Sequence, residues 1–193
     1  MRELCFATNN RHKLEEVSRL LPGIRILTLS AIGCTDELPE EQDSIEGNSR
    51  QKAIYVAEKF GIDCFADDSG LEVQALGGAP GVHSAYYGGP ERDAQKNIDR
   101  LLRELGDRTD RSARFLTVIT LAAAGSVQTF EGILEGSITL APRGTSGFGY
   151  DPVFLPLHGE RTLAEMTMEE KNAISHRFHA VSALTRFLIS GDN

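Results

Sequence analysis

Apolar positions recur along this chain with two different periods. "ELCFAT" (3–8) is a short apolar run ending at Thr8, the length of a buried strand. In "NNRHKLEEVSRLLPG" the residues Leu14, Val17, Leu20 and Leu21 recur three and four apart, which predicts a helix stopped by Pro22-Gly23. "IRILTL" alternates as a second strand, and residues 30–43 read as an acidic loop. "SIEGNSRQKAIYVAEKFG" places Ile45, Ala53, Val56, Ala57 and Phe60 on a helical stripe, with Gly61 as its C-cap. "DCFADD" reads as a buried strand ending in two acids, and "LEVQAL" as a further strand after a Ser69-Gly70 turn. "GGAPGVHSAYYGG" is a loop by its glycines and proline, and "ERDAQKNIDRLLREL" an amphipathic helix. "ARFLTVITLAAAG" and "VQTFEGILEGSITL" form two long strands joined as a hairpin at Gly125-Ser126. After the glycine-rich "GTSGFGYDP" come a strand, "PVFLP", and then a short turn and one long C-terminal helix.

Strands alternating with helices around one long hairpin predict an α/β fold with a mixed central sheet flanked by helices. Sites in such folds lie beyond the carboxyl ends of strands, where several of the segments below are expected. With 193 residues, 40% of them hydrophobic, the whole chain is expected to be one domain of at most two lobes. No stretch reaches the roughly 20 apolar residues of a membrane span. "MRELCFATNN" turns polar too quickly for a secretory signal. Cys5, Cys34 and Cys64, odd in number and widely spaced, read as reduced thiols of a cytoplasmic protein. A formal net charge of -8 argues against duplex nucleic acid as a partner, because phosphate binding wants a basic face.

Four stretches carry candidate chemistry. "TNNRHK" (Thr8, Asn9, Asn10, Arg11, His12, Lys13) joins a strand to a helix start, a geometry that binds phosphate with Lys13 as the point charge. The alternative is an ordinary capped helix. "ADDSGL" puts Asp67 and Asp68 side by side; adjacent carboxylates repel, and Mg²⁺ is the cation that offsets them where phosphate chemistry is done. An Asx-type turn explains the same letters. Glu40 and Glu41 precede the second helix, in which Asn48 and Lys52, four apart, share a face. In "EKNAISHR" the groups Lys171, Ser175, His176 and Arg177 crowd about one and a half turns of the predicted helix, either as an anion and base-edge reader or as a solvated patch. The glycines around Phe148 and Tyr150 suggest that something outside the chain lies against that loop.

"FATNNRHK", "FADDSGLEV", "GGAPGVHSAYYGG", "GTSGFGYDPVFLP" and "AEMTMEEKNAISHR" occur in the order found in the inosine triphosphate pyrophosphatase family, which this chain resembles from residue 3 to about 188. Each motif is weak alone; five in fixed order are specific. The resemblance implies an elongated mixed sheet, two lobes with a nucleotide-binding cleft between them, Mg²⁺ dependence and a homodimer. It implies hydrolysis of non-standard purine nucleoside triphosphates (inosine, deoxyinosine and xanthosine triphosphates) to the monophosphate and pyrophosphate. Asp68 resembles the catalytic acid and Glu40 the second metal acid, with Glu41 as the alternative. Thr8 to Lys13 and Lys52 resemble the phosphate contacts, and Ser69 a substrate contact. Phe148, Gly149, Tyr150 and Asp151 resemble the base loop, and Lys171, His176 and Arg177 the remaining nucleotide contacts. Lys13, Lys52 and Lys171 are expected to neutralise the leaving pyrophosphate, and Arg177 or N–H groups of the base loop to donate to the base.

Two departures stand out. The family's common Glu-Asn-Ala is Gly47-Asn48-Ser49 here, which predicts a later helix start, since glycine costs up to about 1 kcal/mol relative to alanine. Tyr86 stands where many members have arginine. The rival readings are a Maf-like pyrophosphatase of other modified nucleotides and a nucleotide-binding module without catalysis.

Overall fold

The computed structural model describes residues 3–190. Among them, six strands form one sheet in the order β2-β1-β3-β4-β5-β6. These are β1 (Glu3–Phe6), β2 (Arg25–Leu27), β3 (Cys64–Val73), β4 (Ser112–Ala123), β5 (Ser126–Ile138) and β6 (Phe154–Pro156). β1 runs parallel to both β2 and β3, so Cys5 faces Leu27 on one side and Cys64 on the other. β6 is antiparallel to β5, with Ser137 opposite Leu155. The sheet is therefore mixed. The described helices are α1 (Arg11–Leu20), α2 (Ile45–Phe60), α3 (Ala94–Leu105), α4 (Met168–Ile174) and α5 (His176–Ser190). None is long and apolar enough to cross a membrane.

The chain divides into two compact units. The first holds the residues up to Asp68, Thr117–Gly132 and those from Arg177 onward; the second holds Ser69–Leu116 and Ile133–His176. Each buries its own apolar surface. In the first, Leu4, Phe6, Phe65, Ile119 and Leu184 share a cluster in which the Phe6 and Phe65 rings stack 4.6 Å apart. A second cluster of small residues, Cys5, Ala7, Cys64 and Ala66, packs with Ala53 and Val56 of α2. All three cysteines are free and buried. In the second unit, Ile98, Leu101 and Leu105, three and four apart on α3, pack with Leu71, Phe115, Tyr150 and Phe154.

Several local expectations give way, among them the end of "LEVQAL", where Gln74–Leu76 wind into a 3-10 turn after β3 stops at Val73. First, β3 is continuous from Cys64 to Val73, so Asp67, Asp68, Ser69 and Gly70 form no turn. β1 pairs with β3 at Cys64 and Phe65, and β4 is its neighbour on the other edge; its place inside the sheet outweighs the turn propensity of Ser-Gly. Second, α2 starts at Ile45 and contains Gly47 in its first turn. The Ser44 hydroxyl caps it by accepting from the Gly47 N–H at 3.0 Å. A Cβ on Gly47 would come within 2.7 Å of Gln42 Cβ, so glycine makes room for the incoming loop. Ser49 contributes a hydroxyl that reaches Ala66 O (3.1 Å) and Thr120 Oγ1 (2.9 Å). Third, the long C-terminal helix is two helices. Ser175 takes extended torsions (φ -67°, ψ 153°) and closes α4, and α5 begins at the next residue. Fourth, residues Gly81–Tyr86 wind into a 3-10 turn rather than an open loop. The hairpin tip falls one residue earlier than expected, at Ala124-Gly125.

Candidate active site

Successive side chains of a strand point to opposite faces, so Asp67 and Asp68 serve two different surroundings. Asp67 is fully buried. Its Oδ1 is 3.0 Å from Lys13 Nζ, and its Oδ2 is 3.2 Å from Arg177 Nε. Arg177, 1% exposed, also pairs with Glu16 of α1. Asp68 keeps 13% of its side chain exposed and shares Lys52 with Glu40: the Lys52 ammonium is 2.7 Å from Glu40 Oε1 and 3.6 Å from Asp68 Oδ1.

Electrostatics separates the two acids. Burial alone would raise both pKa values. At Asp67, Lys13, Arg177 and Lys52 outweigh burial and hold the carboxyl well below the usual range. At Asp68, burial prevails over Lys52 and Lys13, and the pKa is raised. Burial draws the Lys13 ammonium down despite Asp67. Burial acts the same way on Lys52, but Asp68 and Glu40 overcome it and raise its pKa.

The start of α1 is capped by side chains and carries basic residues. Thr8 Oγ1 accepts from the Asn10 N–H (3.1 Å), and Asn10 Oδ1 caps the helix at the Lys13 N–H (3.2 Å). The first turn holds Arg11, His12 and Lys13 and no acid. Cations there oppose the helix dipole, an arrangement that a bound anion offsets. Arg11, His12, Asn9 and Asn10 are exposed, and Thr8 is half-buried. The capped-helix reading of "TNNRHK" is what the hydrogen bonds show, and the helix start is also basic.

Two carboxylates converging on one ammonium fit a hard divalent cation. The described residues contain no cluster of three or more His, Cys, Asp or Glu side chains suited to a metal, and the pair Asp68 and Glu40 would supply two carboxylate ligands, the rest being left to water and phosphate oxygens. Mg²⁺ binds in that manner. Glu41 instead exchanges hydrogen bonds with Gln51. Between the two candidates, Glu40 is the one that shares a cation with Asp68.

In the second unit, the glycine-rich loop is organised around Asp151, 3% exposed. Its Oδ2 accepts from the Phe148 N–H (2.8 Å) and from Lys171 Nζ (2.7 Å). Lys171 Nζ also lies 4.6 Å from the centre of the half-buried Phe148 ring, a cation–π contact. Gly147 has φ +76°, and a Cβ there would run into the Asp151 carboxylate. Gly147→Ala is expected to cost about 1–2 kcal/mol of stability from backbone strain alone. Urea denaturation measures it.

Several sequence expectations change here. Tyr150 does not face outward from the loop. It is buried, and its hydroxyl donates to Ser84 O at 2.8 Å, anchoring the loop to the 3-10 turn. Arg177 is enclosed in the first unit between Asp67 and Glu16, so it presents no base-edge donor at the surface. Lys171 sits under Phe148 and against Asp151, so it belongs with the loop rather than with the expected polyphosphate lysines. His176 is buried, stacked on Phe115 at 4.7 Å. Ser69 is half-buried, Gly149 has φ +62°, and Asp68 lies inside a strand rather than at its tip. Tyr86 is 39% exposed and its hydroxyl lies 2.9 Å from His83 Nδ1. Sequence reasoning missed Glu16 altogether. The available signal was spacing: Lys13, Glu16, Val17 and Leu20 share one helix face, so Glu16 sits on the apolar stripe.

The comparisons agree with one another. A curated protein of Flavobacterium johnsoniae named "dITP/XTP pyrophosphatase" is 49% identical over 187 residues, covering 96% of this chain and 97% of that protein. One of the same name from Porphyromonas gingivalis is 48% identical, with 98% of each chain covered. The solved structure of the Staphylococcus aureus Ham1 protein superposes with a TM-score of 0.91 at 35% identity, covering 100% of both chains. The Ham1 family model matches residues 4–187, and on this evidence the chain belongs to the Ham1 family.

Proposed function

We propose that this chain is a Mg²⁺-dependent pyrophosphatase of non-standard purine nucleoside triphosphates, chiefly those of inosine, deoxyinosine and xanthosine. The observation that carries the reading is the divergence of two neighbouring carboxylates. Asp67 is paired with Lys13 and Arg177 in the interior, while Asp68, on the other face of the strand and partly exposed, meets Glu40 at the Lys52 ammonium. A carboxylate left partly exposed beside a second acid is the one placed to meet a metal ion and a water. The names of the curated relatives support the substrate class.

In this mechanism, water attacks the α-phosphorus. Asp68 accepts the proton of that water, the α–β bridging bond breaks, and the bridging oxygen departs with pyrophosphate. Asp68 and Glu40 would hold Mg²⁺, which supplies Lewis-acid neutralisation of phosphate charge. Lys13, Lys52 and the α1 N-terminus offset the negative charge of the polyphosphate and its leaving group. The purine ring stacks on Phe148, a contact worth about 1–3 kcal/mol for any base. Discrimination comes from hydrogen bonds. A 6-keto group accepts, whereas the 6-amino group of adenine donates. Backbone N–H groups of the loop, which are donors, suit the former. An adenine amine left facing a donor costs roughly 1–3 kcal/mol. By the same family resemblance, the active species is a cytoplasmic homodimer.

Pyrophosphate release from a panel of nucleoside triphosphates, with and without Mg²⁺, tests this. Preference for inosine, deoxyinosine and xanthosine triphosphates over ATP, lost with EDTA, is the expected result. Preference for modified pyrimidine triphosphates would favour the Maf-like reading instead. Tight nucleotide binding without release would leave a binding module.

A further inference from the structure

The first two turns of α2 hold the acidic loop that precedes them. Asn48, 4% exposed, accepts the Gln42 N–H on its Oδ1 at 2.9 Å. Gln51 accepts the Glu41 N–H (3.0 Å) and returns its own amide to Glu41 Oε2 (3.2 Å). Lys52 reaches the Glu40 carboxylate. Gly47 supplies the clearance that lets Gln42 lie against the helix. Three consecutive loop residues are thus each held by a different side chain of one helix.

Asp36, Glu37, Glu40, Glu41 and Asp43 crowd this loop, and their mutual repulsion favours an extended, solvated segment. Something must counter it for Glu40 to stay beside Lys52 and Asp68. Glu40 itself is about one-third exposed, and a single exposed ion pair is worth little. Gln51 is partly exposed and water competes for its bonds. Asn48 is buried, so its bond to Gln42 meets little such competition, and breaking it strands a polar group. Asn48 and Lys52 lie one helical turn apart on the same face, and they meet loop residues 42 and 40 respectively.

We propose that Asn48 is a positioning residue. By holding the Gln42 amide it fixes the loop so that the Glu40 carboxylate converges with that of Asp68. This rests on the metal role proposed above for Glu40. Residues that orient a metal ligand typically change metal affinity by 10–100-fold when lost.

The test is Mg²⁺ binding without nucleotide, read as the ion-dependent rise in thermal stability, alongside hydrogen exchange at the amides of residues 41 and 42. Asn48→Leu removes the acceptor at similar size, and is expected to speed exchange at Gln42 and weaken Mg²⁺ binding about tenfold. Gly47→Ala displaces Gln42 without touching Asn48 and is expected to act in the same direction as Asn48→Leu, which keeps the test alive should the leucine variant not fold. If Asn48→Leu and Gly47→Ala bind Mg²⁺ like wild type while Glu40→Gln binds it more weakly, the positioning role is overturned and the Glu40 assignment survives. If Glu40→Gln binds Mg²⁺ unchanged, the assignment itself falls and the inference with it.

Discussion

Asp68→Asn is expected to lose about 10²–10⁴-fold in kcat for inosine triphosphate at saturating Mg²⁺, the usual contribution of a positioned general base. That range corresponds to about 3–5 kcal/mol of barrier. KM should move far less, because the contacts assigned to the triphosphate and the base lie on other residues. Asparagine keeps the shape of the side chain but has no carboxylate to take a proton. The fold should survive. Asp68 lies at a partly exposed position, and its neighbour Lys52 retains Glu40 as a counter-charge. Steady-state pyrophosphate release separates the outcomes: near-wild-type kcat would remove Asp68 from proton transfer, whereas an equal loss in KM and kcat would point to a binding role.

The adjacent substitution is expected to do the opposite. Asp67→Asn should cost about 3–5 kcal/mol of folding stability, because it leaves Arg177 and Lys13 without their shared carboxylate in the interior. Glu16 still meets Arg177, but one acid then faces two cations. Urea midpoints measure the loss. The effect also has a pH signature. The folded-state pKa of Asp67 lies below its unfolded value of about 3.9. Its contribution is therefore fully present above that value and drains away as the pH falls through the folded pKa. Asp67→Asn should flatten this part of the acid limb. A variant as stable as wild type at neutral pH would show that the buried pairs carry no net stabilisation.

Much of the architecture was legible because the pattern of apolar residues is local. Leu14, Val17 and Leu20 announced α1, and Gly61 its role as a cap for α2. The candidate chemistry stood out for the same reason, since its letters lie in short contiguous motifs. What the sequence hid was tertiary. "DDSG" has the composition of a turn, and the place of β3 inside the sheet overrides it. "KNAIS" reads helical to the end, yet the backbone leaves the helix at Ser175. Tyr150 looked outward because its glycine neighbours offer no shelter, while Ser84, 66 residues away in sequence, supplies it. Arg177 looked like a surface donor because nothing local marks Glu16 and Asp67 as its partners. Gly47 looked like a weak helix former, and its reason lies in the loop that packs against it. In each case the deciding contact is distant along the chain or depends on a neighbouring strand.

The alternation of β3 has one more consequence. Where two acids divide their labour by pointing to opposite sides of a pleat, the count of residues matters as much as their identity. Deleting a single position between Cys64 and Asp67, with the register sliding to match, would offer the proposed proton acceptor to the buried arginine and drive the counter-ion into the small-residue core where Ala66 sits. A lineage drifting under selection is therefore expected to accept side-chain changes along this strand long before it accepts any insertion or deletion there, while the hairpin tip at Ala124-Gly125 remains free to lengthen.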